Sequence, residues 1–296
     1  MLNPRVDFAF KKLFGVPENK DLLISFVNAI VSAEDQVVDL VLLNPYNEQE
    51  HYYDKLSILD IKASDSEGRQ YNIEMQIADQ EYYSKRALYY WAKLYTGQLK
   101  KGDSFANLEK AICINILNFN TLDTEPGYHH TFKILHNKSY KNYFTNFEIH
   151  FIELSKLDQN LSHIKTTLDR WVNFLNKANL YNQNNFPQEL STDPAINKAF
   201  LVLNTLYLND EEREIYEARL KWWRDENAAL QKAHNTGFKE GKFEGKLEGK
   251  LEKAIEIAKS MLMQGYDINT IAKITDLSLD ELKKLDVLIF DHGPGA

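Results

Sequence analysis

Cysteine is nearly absent. Of 296 residues only Cys113 is one, and it lies inside the apolar run Ala111-Ile112-Cys113-Ile114-Asn115-Ile116-Leu117. No internal disulfide can form, so a reducing cytoplasm is the expected compartment. Long apolar runs are missing too: none approaches the roughly 20 residues that a membrane helix needs. The opening residues Met1-Leu2-Asn3-Pro4-Arg5-Val6-Asp7 lack the basic stretch followed by an apolar one that marks a secretory leader. A soluble chain without membrane contact is expected. Positive charge is also in short supply, with 35 Lys and Arg against 43 Asp and Glu and a formal charge of −8. Phosphate neutralisation supplies most non-specific nucleic-acid affinity, so a protein that coats nucleic acid is disfavoured. Local binding through a metal and a few basic side chains stays open. Histidines are scattered: His129-His130 and His163 stand apart from any acidic cluster and read as structural or solvated.

What is present describes a globular protein. Hydrophobic residues make up 44% and aromatics 12%, enough over this length to bury a core and to form more than one unit. Residues 7–14 read as a short amphipathic helix stopped by Gly15 and Pro17, and a second helix follows from Lys20 to Ile30. Three strand-like runs come next, at Val37 to Leu43, Leu56 to Ala63 and Gln70 to Ile77. The first is almost wholly apolar and so reads as buried on both faces. A long helix is expected from Glu81 to Lys100, closed by Gly102, with Lys85, Arg86 and Lys93 on its outer face. Strands at Ala111 to Leu117, Thr131 to Leu135 and Phe147 to Leu154 complete a mixed sheet, since a helix between two strands implies a crossover. From about Lys156 the pattern turns helical. Gly237, Gly241, Gly245 and Gly249 recur every fourth residue in a Lys- and Glu-rich run. That row fits close helix contact and self-association, or a flexible charged connector. Beyond it, residues 254–288 have the cadence of a helix-turn-helix, with an acidic presumed reading helix around Asp280, Glu281 and Asp286 that favours packing or dimerisation over DNA reading.

The segment richest in chemistry is Ser57 to Ile77. A three-residue loop Ser66-Glu67-Gly68, with glycine where a left-handed backbone is needed, pairs Asp65 with Arg69 and fixes the register of a hairpin. Counting back, Lys62 faces Asn72 and Asp60 faces Glu74. Side chains alternate along a strand, so Asp60 and Lys62 share one face, as do Asn72, Glu74 and Gln76. Directly opposed Cβ atoms lie roughly 4.5–5.5 Å apart, where two bare carboxylates repel unless a cation lies between them. Oxygen ligands with no His or Cys nearby suit Mg²⁺ or Mn²⁺. The chemistry such a site performs best is attack of water on a phosphodiester. A solvated hairpin with its acids on the wet face has the same pattern.

Three stretches together carry a family resemblance: Asp7-Phe8-Ala9-Phe10-Lys11-Lys12-Leu13-Phe14-Gly15, the hairpin with Asp60 and Glu74-Met75-Gln76, and Arg86-Ala87-Leu88-Tyr89-Tyr90 through Gln98-Leu99-Lys100-Lys101-Gly102. Over roughly residues 1–155 the chain resembles the Rpn family of recombination-promoting, transposase-like nucleases of the PD-(D/E)XK superfamily, and its Gly-spaced tail looks similar as well. The resemblance implies an α/β fold: a PD-(D/E)XK restriction-endonuclease-like core with a mixed sheet flanked by helices, followed by an all-helical C-terminal region. It also implies that Asp60 and Glu74 bind Mg²⁺ (or Mn²⁺), with the backbone carbonyl of Met75 as a third ligand and Asp7 assisting. Gln76 departs from the superfamily pattern, which has lysine there, a departure that Rpn-like proteins share. An amide orients water but brings no positive charge. Lys62 is the nearest candidate to replace it, unless it pairs with Asp65 or Glu67.

The expected activity is therefore a Mg²⁺-dependent DNA endonuclease of recombination or mobile-element type. Asp60, Glu74, Gln76 and Lys62 form its site, and Arg86 and Lys93 contact the DNA backbone. The expected regions are 1–155 (nuclease-like), 156–233 (helical) and 234–296 (Gly-spaced helix and helix-turn-helix-like unit), with DNA as partner and a homo-oligomer formed through the tail. Two rivals are a catalytically weak or inactive DNA-binding, oligomerising interaction protein and a defence nuclease acting on invading DNA.

Overall fold

The computed structural model describes residues 1–43, 60–78, 81–158 and 160–290. The chain divides into two compact units, residues 1–226 and 227–296. The first unit opens with helix α1 (Asp7–Phe14) and helix α2 (Lys20–Ile30). Both have the bounds their apolar periodicity predicts, and Gly15 ends α1 by donating its N–H to Lys11 O. Strands β1 (Leu40–Leu43), β2 (Ile61–Asp65) and β3 (Gln70–Gln76) precede helix α3 (Tyr83–Thr96). Strands β4 (Ala111–Leu117), β5 (His129–Phe132) and β6 (Phe147–Glu153) follow. The six strands form one sheet in the order β1-β2-β3-β4-β6-β5. The pairs β3–β4 and β4–β6 are parallel and the other three antiparallel. This is the mixed sheet expected from a helix lying between strands.

Helices cover both faces. Against one, α1 and α2 pack with helices α4 (Thr167–Lys177), α5 (Gln188–Ser191) and α6 (Pro194–Thr205). At the centre of that layer Phe14 lies 5.3 Å from both Phe26 and Trp171, ring centre to ring centre. The opposite face carries α3, whose Tyr83, Ala87 and Leu94 pack on Ala111, Cys113 and Phe151. The helical segment after residue 156 thus completes the main core of the sheet.

Three elements differ from the sequence reading. Strand β1 is shorter than Val37 to Leu43, and it is an edge: it pairs only with β2 among the described residues, with Val38 and Val41 90% and 58% exposed. Its apolar run is the composition of a half-covered edge, where one face still needs burial. Helix α3 stops at Gly97 rather than Gly102, because the Gly97 N–H satisfies Lys93 O at 3.0 Å. Strand β5 falls two residues earlier than predicted and pairs with β6 at the other edge. The first part of the expected strand at 56–63, Leu56 to Leu59, lies outside the described residues.

Helix α7 (Asp210–Met263) runs unbroken through the glycine row. Within the second unit its end packs with α8 (Ile268–Thr275) and α9 (Leu279–Phe290) around Ala258, Leu262, Ile271, Leu277 and Leu282. The turn at Gly265, with φ +77°, separates α7 from α8. Asp267 caps α8, and Ser278 and Glu281 cap each other at the start of α9. These caps satisfy the orphan amides of two short helices. No helix among the described residues is long and apolar enough to cross a membrane.

Candidate active site

The hairpin of β2 and β3 has the register its turn dictates. Gly68 adopts φ +83° and donates its N–H to Asp65 O, while Asp65 and Arg69 face each other across the loop. The Asp65 carboxylate accepts the Glu67 and Arg69 amides, the Arg69 guanidinium at 2.5 Å and the Tyr71 hydroxyl at 2.9 Å. With the turn pinned in this way, Lys62 pairs with Asn72 and Ile61 with Ile73. Asp60, one residue before β2, then meets Glu74.

The two acids sit close and are mostly dry. The Asp60 N–H donates to Glu74 Oε1 at 3.2 Å, and Asp60 Oδ2 accepts the Met75 N–H at 2.9 Å. The Glu74 side chain is 2% exposed and that of Asp60 12%. Burial pushes the Glu74 carboxyl up to about 8, helped by the negative charge of Asp60. Burial also raises Asp60, although the ammonium of Lys11 opposes the shift from 3.1 Å. Such a pair calls for a cation.

A cleft of about 220 Å³ opens beside the acids, with Asp7, Asp60, Met75, Gln76, Arg86, Arg219 and Trp222 in its walls. Arg86, on the first turn of α3, donates to Gln76 Oε1 at 3.3 Å and to the Tyr90 hydroxyl at 3.1 Å. Its Nη2 stands 4.0 Å from Glu74 Oε2. Behind Glu74, the Tyr83 hydroxyl donates to Asn115 Oδ1 at 2.8 Å and ties α3 to β4.

Of the residues singled out from sequence, Asp60, Glu74, Met75, Gln76, Asp7 and Arg86 are together at this cleft. Asp7 lies 3.9 Å from Arg219, and among the described residues no three His, Cys, Asp or Glu side chains are grouped tightly enough to hold a metal by themselves. Lys62 stands opposite Asn72, two pairs further along the hairpin. Lys93 lies two helical turns beyond Arg86 and outside the cleft walls. Sequence reading missed Lys11, Arg219 and Trp222. Lys11 was accessible by periodicity, since it follows Asp7 by four residues and so shares its face of α1. Arg219 and Trp222 gave no local signal, because they reach the cleft from an element some 150 residues distant in the chain.

Comparison with protein families settles the kinship. A model described as PD-(D/E)XK nuclease family transposase matches residues 4–233, and one described as Rpn/YhgA-like nuclease family, C-terminal HTH domain, matches residues 251–286. The chain belongs to the PD-(D/E)XK nuclease family transposases. Comparison with curated proteins and with solved structures returned no significant match. As a PD-(D/E)XK family member the chain has a nuclease-type function, and such nucleases typically use divalent metals. A nuclease domain joined to a helix-turn-helix domain implies interaction with DNA.

Proposed function

We propose that this PD-(D/E)XK family chain is a Mg²⁺- or Mn²⁺-dependent DNA endonuclease of the recombination-promoting type. The observation that carries the reading is the buried approach of Asp60 to Glu74 beside a cleft lined with arginine. The donor set fits a hard dication. Magnesium is usually held by one or two carboxylates, with water and substrate phosphate filling the remaining positions, so two acids beside a solvent-open cleft suffice. Asp60 and Glu74 would hold the ion, with the Met75 carbonyl as a third donor and Asp7 assisting from across the cleft. When bound, the ion would supply a nucleophilic water at neutral pH and neutralise charge on the phosphate.

The chain's own groups do the rest. Gln76 and Lys62 orient water and phosphate, and Arg86 and Lys93 hold the DNA backbone. In this proposal residues 1–155 carry the chemistry, residues 156–233 support it, and residues 234–296 assemble the protein in the cytoplasm. Self-association through the tail is supported by Phe243, Leu247 and Leu251, spaced by four and about half to two-thirds exposed on α7.

The test is cleavage of supercoiled and linear DNA in Mg²⁺ or Mn²⁺ by wild type and Asp60→Ala. Nicking by wild type that the variant loses, with fold and mass unchanged, is expected. No nicking across metals and substrates would favour a non-cutting interaction protein.

A further inference from the structure

Position 76 brings an amide to the cleft, not a charge, yet a phosphodiester acquires negative charge on its oxygens as it is attacked. Among the described residues three cations approach the two acids and Asp7. Lys11 is within 3.1 Å of Asp60 Oδ1 and so neutralises a carboxylate. Arg219, also in the cleft wall, is paired with Asp7 at 3.9 Å. Arg86 is anchored beside Gln76. Its guanidinium is held on one side by the Gln76 amide oxygen and on another by the Tyr90 hydroxyl. It lies 5.1 Å from the centre of the Tyr90 ring and 5.8 Å from that of Tyr83. Its Nη2 also stands 4.0 Å from Glu74 Oε2, a long ion pair that opposes the rise of that carboxyl. A planar fork fixed by an amide and two aromatic rings is the geometry that recognises phosphate oxygens.

Resting on the nuclease reading above, we propose that Arg86 is a catalytic residue that stabilises the reacting phosphate, and that Gln76 is its positioning residue. In the reaction the water oxygen forms a bond to phosphorus as one ester P–O bond breaks. The water's proton passes to solvent, and the departing oxygen takes a proton from solvent, so that one water is added across the ester. Arg86 donates hydrogen bonds to a non-bridging oxygen and keeps its own protons throughout. Gln76 aims the guanidinium through its side-chain oxygen. A lysine at position 76 would bring its ammonium to the same wall of the cleft.

The experiment uses the full chain and three readouts: single-turnover cleavage of supercoiled plasmid in Mg²⁺, DNA affinity in EDTA, and melting temperature. Arg86→Ala is expected to slow cleavage by about 100-fold or more, the loss typical when a transition-state donor is removed. Affinity should stay within about threefold, as for the loss of one phosphate contact among several. Gln76→Ala should slow cleavage by about tenfold, the smaller loss expected of a misaimed donor. The deciding variant is Arg86→Ala combined with Gln76→Lys, which should regain at least about tenfold over Arg86→Ala alone by returning charge to the site. Should Arg86→Ala not fold, Arg86→Gln, which retains a donor for Tyr90, takes its place with the same expectation. Cleavage at the wild-type rate without Arg86, cleavage lost only in step with affinity, or a folded double variant with no recovery would overturn the inference and leave the nuclease reading standing. Wild type showing no Asp60-dependent cleavage would remove both.

Discussion

Glu74 is an almost wholly buried acid, and its protonation links the site to stability. Its carboxyl titrates near 8 in the folded chain against about 4.5 when unfolded. Between those values the native state holds a proton that the unfolded state has lost, so this group's stabilisation is present below 4.5 and disappears as pH rises through 8. Metal-free Glu74→Gln cannot ionise and should therefore melt higher than wild type by roughly 2–8 °C at pH 9, with the difference shrinking towards pH 4.5. A constant difference across pH would contradict the assignment. Asp60 and Glu74 were legible from sequence because alternation on two strands and one glycine turn fix their register. Their depth was not. Burial of Glu74 depends on α3 closing over the sheet through Tyr83 and Asn115, which no local pattern encodes.

At the scale of elements, the hairpin turn is the feature that aligns the acids. Gly68 at φ +83° has Glu109 Cγ only 3.1 Å from where a β-carbon would stand. Gly68→Ala should cost about 1–2 kcal/mol, from the left-handed backbone and from this contact. Denaturant unfolding measures that cost, and a change below about 0.3 kcal/mol would contradict the role given to the turn. The glycine row in α7 behaves in the opposite sense. A β-carbon at Gly237, Gly241, Gly245 or Gly249 would meet nothing within 4 Å among the described residues, so alanine there should strengthen the helix by up to about 1 kcal/mol per site. If the row is a contact between copies, the quadruple alanine variant should gain helix content by circular dichroism yet lose mass by sedimentation. Unchanged mass would remove the glycine row from the proposed self-association. Helices α1 and α2 and strand β4 were readable because periodicity and stop signals agree. Strand β1 was not, since an edge and a buried strand share the same apolar composition. The continuity of α7 was hidden by four residues that individually disfavour helix.

For the molecule as a whole, a second polar network lies across the sheet from the acids. Lys110 bridges Asp35 and Glu148 at 2.7 and 2.8 Å, and His150 joins Glu148 to His129. Hydrogen bonds from His150 and Lys110 hold Glu148 at about 2 despite its burial, and burial holds His129 at about 4. Both groups bind fewer protons folded than unfolded, so their stabilisation is present at neutral pH and is lost on acidification. For His129 the loss falls between about 6.5 and 4, and for Glu148 between about 4.5 and 2. His129→Phe, which cannot charge, should flatten the decline between pH 6.5 and 4 in thermal melts; an unaltered slope would refute this. His129, read as isolated in the sequence, meets His150 only because β5 pairs with β6. The account as a whole stands on a dication shared by Asp60 and Glu74. Calorimetric titration of Mn²⁺ and Mg²⁺ into wild type and into the double variant Asp60→Asn, Glu74→Gln tests this most directly. Saturable uptake by wild type that the folded variant lacks is the predicted result, and equal uptake by both, or none by either, would contradict it.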